Sequence, residues 1–299
     1  MARPLTTPAE LTGELSPDAA LRRIVAACRS DLNKYRAVVL AGSRPIGVHQ
    51  SRVALRRLRA AIGLFRDAFD ESDPNGSDLR SLSAEARWLA AELAPARDLH
   101  VFLKETAPDA PQPVQRIGRR LARQRLERAR QALSGARFGE FDARLEKFAA
   151  AAPLAIGTPL TKFGDAALGL RHAKVGRRGE RIDHLGAKPL HKLRIAVKKL
   201  RYAAIFLRPL FSGPGFDSKA AKPYIEATAR LQGALGALND RAVAAQIIAD
   251  IAQAARPSEL AKKPLERVAR QVKAGTKRDK HRIGRAWKTF RKAEPFWRM

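Results

Sequence analysis

The sequence predicts an all-α protein, and three observations carry that prediction. Ala, Leu, Arg, Glu and Gln are abundant while β-branched runs are short. Pro and Gly divide the chain into pieces of helical length, and no segment alternates well enough for a sheet. A stretch beginning near His49 also recurs later in the chain at the same helical phase.

Taken in order, the pattern places helices at about 17–40, 47–69, 77–106, 113–133 and 137–149. A second series falls at about 161–179, 188–211, 219–254 and 258–289. Breaks are expected at Gly42–Pro45, Asp73–Gly76, Pro108–Pro113, Ala152–Pro159 and Gly213–Gly215. Ser16-Pro17-Asp18 reads as a helix start, with a Ser cap followed by Pro at the first helical position.

The two series are an internal repeat. VHQSRVALRRLRAAIGLFRDAF aligns with LHKLRIAVKKLRYAAIFLRPLF, and His191 lies 142 residues after His49. Eight of the 22 positions are identical, among them His49/His191, Arg52/Arg194, Arg59/Arg201 and Arg66/Arg208. Arg56/Lys198 and Arg57/Lys199 keep the charge. The offset continues without a gap through Leu89/Leu231, Leu93/Leu235, Asp98/Asp240 and Val101/Val243, and only the last helices of each half align poorly. Two halves of this size suggest two helical bundles related by pseudo-two-fold symmetry.

Composition narrows the function. Lys and Arg number 58 against 29 Asp and Glu, a formal charge of +29. That many like charges repel one another unless something neutralises them. A neutral or small substrate does not require such an excess; nucleic acid, an anionic membrane or polyphosphate does. A compositional bias toward Ala and Arg is the bland alternative. Cys28 is the single cysteine, which excludes an internal disulfide framework and suits a reducing compartment. No run of about 18 apolar residues exists to span a membrane. The opening MARPLTTPAELTGEL lacks the basic and apolar regions of a secretory signal, so the expected location is cytoplasmic and no membrane partner is expected.

Wound at about 100° per residue, Leu55, Leu58, Ile62, Phe65 and Phe69 gather within about 80° as a core face. His49, Arg52, Arg56 and Arg59 gather within another arc of about 80°, with Arg66 at its edge. His191, Arg194, Lys198, Arg201 and Arg208 repeat the arrangement. Arg57 and Lys199 lie about 80° from the His position, off the stripe. A charged stripe is usually a solvated surface. A solvated face, however, mixes signs to gain i,i+4 pairs, and this one has no acidic member in either copy. Stacked cations cost stability unless an anion compensates. Arg offers a planar fork for two phosphate oxygens, Lys a point charge, and His a site that gains a proton among anionic oxygens. Successive turns supply a cation about every 5 Å, comparable with the spacing along an extended phosphate chain.

VHQSRVALRRLR and LHKLRIAVKKLRY, with LAPARDLHVFL and LGALNDRAVA downstream of each, resemble the CHAD family (conserved histidine α-helical domain). The resemblance covers roughly 17–297, and the terminal Pro295-Phe296-Trp297 also looks like the family's ending. It implies two four-helix bundles related by internal pseudo-two-fold symmetry, with basic helices meeting at a central cavity that binds inorganic polyphosphate. The implied domain division is an N-terminal tail at 1–16 and a single domain at 17–299, made of halves at about 17–150 and 159–299. Some members localise to polyphosphate granules, which extends the expected location to granules.

Carried over residue by residue, the resemblance gives His49 and His191 as the histidine positions. Arg52, Arg56, Arg59, Arg194, Lys198 and Arg201 fall at its basic positions. The first acidic motif reads Arg97-Asp98-Leu99-His100, where the family often has an acid at the fourth place; the second reads Asn239-Asp240-Arg241-Ala242. Asp98 and Asp240 either orient a stripe Arg or cap a helix.

Other readings fit less well. Gly42-Ser43-Arg44-Pro45-Ile46-Gly47 has a P-loop's glycine spacing, but Val48-His49 replaces the required Lys-Ser/Thr. None of the six histidines pairs with a Cys or carboxylate at ligand spacing, so neither metal nor cofactor is expected. No nucleophile and base are identifiable, and an enzyme is not expected. The rival partner is nucleic acid, bound nonspecifically, which the charge would suit. Aromatic residues are only 6% and mostly at core phases, which disfavours a stacking platform.

Overall fold

The computed structural model describes residues 11–42, 45–69, 74–154, 157–212, 221–255, 262–273 and 276–298. Among them there are ten α-helices and no strand. In chain order they are α1 Pro17–Ala41, α2 Pro45–Phe65, α3 Pro74–Val101, α4 Gln112–Ser134 and α5 Ala136–Ala150. The series resumes with α6 Leu160–Gly179, α7 Ala187–Leu207, α8 Ala221–Ala254, α9 Lys262–Lys273 and α10 Thr276–Lys292. Adding the sequence offset to the bounds of α2 gives the bounds of α7 residue for residue.

Local chemistry explains several boundaries. Ser16 caps α1, its Oγ accepting from the Ala19 amide at 3.1 Å, with Pro17 at the first helical position. Asp18 in the first turn is buried against Arg22 at 2.8 Å and also accepts from the Leu154 amide at 2.7 Å. Arg22 in turn donates to the Phe148 carbonyl and stacks over that ring at 4.5 Å. This network ties the start of α1 to the end of α5. Residues 11–15 of the expected N-terminal tail touch the rest of the fold. Leu11 is buried, and the Leu160 amide donates to the carbonyls of Gly13 and Leu15 at 3.1 and 3.0 Å.

Helix ends differ from the sequence pattern where winding tightens or loosens. The expected helix 47–69 ends as α at Phe65 and finishes in a 3-10 turn, Arg66–Ala68; α7 likewise runs into Arg208–Phe211. The expected helix 77–106 becomes α3 plus a π turn, Phe102–Thr106, closed by the Ala107 amide on the Phe102 carbonyl at 2.8 Å. Of the break expected at Asp73–Gly76, residues 74–76 form the first turn of α3, where Pro74 is tolerated, and Asp73 lies outside the described residues. The single helix expected at 258–289 is two, α9 and α10. Both keep an apolar face, so periodicity alone runs them together. The expected starts at 219 and 258 and the break at 213–215 lie outside the described residues.

In the first half α1 packs on α2 and α5, α2 on α3, and α3 on α4. In the second half α7 packs on α6 and α8, and α8 on α9 and α10. The halves meet through α2–α7, α4–α8 and α1–α6. They share their apolar interior. One large core joins Leu21, Leu55, Phe65 and Leu89 to Leu200, Phe206, Tyr224 and Phe290. A smaller one joins Leu99, Phe102 and Ile117 to Ile247, Ile251 and Val268. The C-terminal Phe296 and Trp297 are buried; Trp297 meets Tyr224 edge-on at 4.9 Å. The effect for function is that α2 and α7 lie at the centre, each held by neighbours on several sides.

Candidate functional site

The site is built by α2 and α7. Each must bury one face: Leu55, Leu58, Ile62 and Phe65 on α2, and Leu193, Val197, Leu200 and Leu207 on α7. Because these faces are fixed in the core, the basic stripes at a different phase are forced into the seam where the two helices approach. Arg52, Arg56 and Arg59 are half-buried, as are Arg194, Lys198 and Arg201.

Electrostatics show the stripes meeting. The Lys198 ammonium is held below the usual lysine range by burial, then by Arg59, Arg194, Arg56 and Lys199. Two of these, Arg56 and Arg59, belong to the other half. His49 is held below the ordinary imidazole range by burial and then by Arg56, Arg97 and Arg52, with Glu105 opposing. Burial also lowers Arg52, with Asp98 pulling the other way, and lowers Arg59, to which Arg87 adds.

Hydrogen bonding is more telling. Arg52 Nη1 donates to the Ala90 carbonyl, and Arg201 Nη1 reaches Gln232 Oε1 at 3.4 Å. Yet Arg52, Arg59, Arg97, Arg194 and Arg201 each bury an Nε that meets no acceptor among the described residues. A buried donor without an acceptor costs about 1–3 kcal/mol, more when charged. Five guanidiniums in this state flank one seam, and the natural complement of their charge is a set of anionic oxygens.

Asp98 and Asp240 sit at the edge of this seam. Asp98 Oδ1 accepts from Arg97 Nη1 at 3.2 Å and acts on Arg52. Partial desolvation pushes the Asp240 carboxyl above its ordinary range, Arg194 and Arg97 pull it down, and Asp98 pushes it up. Asp240 is exposed to solvent. Both aspartates lie inside helices, α3 and α8, so neither is an N-cap. Charge couples each to the equivalent arginine of its own half, Arg52 or Arg194.

Not every stripe residue is brought in. His191 is exposed on the first turn of α7. Arg66 and Arg208 are exposed on 3-10 turns, where winding near 120° per residue breaks the phase that placed them at the stripe's edge. Sequence reasoning missed Arg87 and Arg97, both from α3. Arg97 carried a signal, since it stands directly before Asp98 in the repeated motif; Arg87 carried none. Arg57 lies off the stripe but is buried, 1% exposed, and pairs with Asp31 on α1 at 3.0 Å. The sequence did not anticipate that burial, because it did not show that α1 covers a second side of α2.

Beside the first stripe, about 540 Å³ of space opens between the start of α2, the end of α3 and α4. His49 and Arg97 belong both to the seam and to this pocket. Among the described residues no group of His, Cys, Asp and Glu could hold a metal ion. Burial pushes the Cys28 thiol up to about 12, which leaves it unreactive. No helix among the described residues is long and apolar enough to cross a membrane.

The fold and seam define an all-helical protein built on a duplicated basic helix. The family model of the CHAD domain matches residues 23–249, and the chain belongs to that family. Its structure is similar to the crystal structure of the CHAD domain from the plant Ricinus communis. The TM-score is 0.80 at 23% identity, with 96% of each chain covered. It is also similar to PptA from Streptomyces chartreusis, with a TM-score of 0.62 at 16% identity, covering 92% of this chain and 98% of that one. At such identities the likeness is one of fold. No curated protein matches the chain by sequence.

Proposed function

We propose that the protein binds inorganic polyphosphate along the α2–α7 seam, as a binding protein rather than an enzyme. The observation that carries this reading is the set of buried, acceptor-less Nε donors on Arg52, Arg59, Arg97, Arg194 and Arg201 between two stripes that contain no acid. A chain of tethered phosphates would supply an acceptor at each turn, and the first contact would raise the effective concentration for the next. His49, Arg52, Arg56 and Arg59 would hold one stretch and Arg194, Lys198 and Arg201 the next, with Asp98 and Asp240 orienting Arg52 and Arg194. His191, Arg66 and Arg208 would act at the ends, where the chain leaves the seam. The two stripes would then line one basic central cavity between pseudo-symmetric halves. A cytoplasmic location, with recruitment to polyphosphate granules, fits this role.

The test is competition between long-chain polyphosphate and duplex DNA at physiological salt. Polyphosphate is expected to displace DNA, and to bind more tightly than orthophosphate. DNA affinity equal to or above that for polyphosphate would turn the assignment to nonspecific nucleic-acid binding.

A further inference from the structure

The pocket beside the seam differs chemically from the seam. Its walls are largely apolar: Ile46 and Val48 from α2, Ala96 and Val101 from α3, Ala122 and Leu126 from α4. Its polar groups converge from four elements: His49 and Gln50 on α2, Arg97 and His100 on α3, Glu105 on the π turn and Arg123 on α4. The volume falls within the range of small-molecule sites. The apolar walls and the Glu105 carboxylate offer an inorganic polyanion nothing, whereas His49, Arg97 and Arg123 in the same lining suit phosphates.

The polar lining of the pocket is also not repeated in the sequence of the second half. With the same offset, Gln50 corresponds to Lys192, Arg97 to Asn239, His100 to Ala242 and Glu105 to Ile247. The stripe was kept twice, whereas this lining exists once. The winding differs as well: Phe102–Thr106 is a π turn, while the equivalent stretch of α8 continues as α-helix. A π turn closes its hydrogen bonds over one more residue than the α-helix and so changes where Glu105 is aimed.

We propose that this pocket holds the base of a nucleoside polyphosphate whose phosphates lie on His49 and Arg97 at the mouth of the seam. An amine-bearing heterocycle satisfies both halves of the chemistry. Its ring buries against Ile46, Val101, Ala122 and Leu126, and its exocyclic amine donates to Glu105, a carboxylate that inorganic phosphate cannot use. Gln50 and the His100 imidazole, which burial and Lys104 hold below its ordinary range, offer neutral donors and acceptors to the ring nitrogens. The inference rests on the seam being a phosphate site.

The experiment compares ATP, ITP, tripolyphosphate and long-chain polyphosphate by calorimetric titration at one salt concentration without divalent cations. Tripolyphosphate has as many phosphates as ATP and carries no less charge, so electrostatics alone favour it or give parity. ATP is expected to bind about tenfold more tightly than tripolyphosphate, with ITP, which lacks the amine, in between. Ala122→Trp should fill the pocket and bring ATP to the tripolyphosphate level while leaving tripolyphosphate within about twofold. Glu105→Gln, at an exposed position, should narrow the gap between ATP and ITP without a risk to folding. ATP binding no more tightly than tripolyphosphate, or a preference that survives Ala122→Trp in a variant that melts normally, overturns the proposal. Long-chain polyphosphate in the same series separates the two readings. If it binds and ATP shows no preference, only the pocket fails; if ATP is preferred and long chains do not bind, only the polyphosphate assignment fails.

Discussion

His49 and Arg57 stand two turns apart on α2 and are put to opposite uses. His49 faces a partly buried seam among Arg56, Arg97 and Arg52, which hold its proton affinity down. The unfolded chain therefore takes up this proton at a higher pH than the folded one. Its contribution to stability is lost as pH falls below about 6.5 and is restored as pH rises through the window between the two values. Anionic oxygens act in the other direction and raise the imidazole's affinity for a proton, so binding is coupled to proton uptake. Polyphosphate affinity is expected to rise as pH is lowered from about 8 to about 6, by at most about tenfold per unit for one group. His49→Gln should flatten the profile. Titrations at the two pH values check this, and a wild-type profile already flat would remove His49 from the phosphate-binding set. Arg57 instead sits in the core against Asp31. Arg57→Ala should cost about 3 kcal/mol of folding stability by breaking a largely buried ion pair and emptying the space of a buried guanidinium. Its effect on polyphosphate affinity, measured on the fraction that remains folded, should be smaller than that of Arg52→Ala. Equal losses of affinity would mean that net charge alone governs binding.

The helix is the scale at which the sequence was most legible, because a 3.6-residue pattern needs only local information. The stripes on α2 and α7 and their shared phase came from spacing. The approach of Lys198 to Arg56 and Arg59 did not, since it depends on how the two halves dock. For the same reason Arg87 and Arg97 escaped notice: they are brought to the seam by the packing of α3 against α2, not by any stripe of their own. The π turn after α3 and the 3-10 turns after α2 and α7 were illegible because a fixed 100° rotation cannot register a change of winding. Docking of α2 on α7 has its own consequence. Lys198→Met keeps the apolar stem but removes a charge that is desolvated and flanked by four others. The free variant should be more stable than the parent by about 1 kcal/mol, while its affinity for polyphosphate falls. Urea unfolding and a binding titration on the same preparation measure both. Loss of stability in the variant would mean that Lys198 has a compensating partner and that the seam is not under electrostatic load.

At the scale of the whole molecule, a formal charge of +29 makes the ligand part of the stability balance. Polyphosphate that binds only the native state raises the melting temperature by mass action. At a free concentration about a hundredfold above Kd the gain is about 2.7 kcal/mol. For a chain of this length that corresponds to an upward shift of about 5 °C. Salt separates this from a generic ligand effect. Between about 0.1 M and 1 M the screening length shrinks from about 10 Å to about 3 Å. The free protein should therefore melt higher in the stronger salt, because its cations repel one another less. The shift given by polyphosphate should shrink at the same time, because the attraction weakens too. A paired variant, Arg56→Gln with Lys198→Met, should behave in low salt as the parent does in high salt: a raised melting temperature alone and a reduced response to polyphosphate. Melting curves of both proteins at the two salt concentrations, with and without long-chain polyphosphate, give every comparison. An unchanged melting temperature at saturating polyphosphate would leave the seam without its ligand and the proposed function wrong. A full shift in the paired variant would instead place the ligand elsewhere on the basic surface.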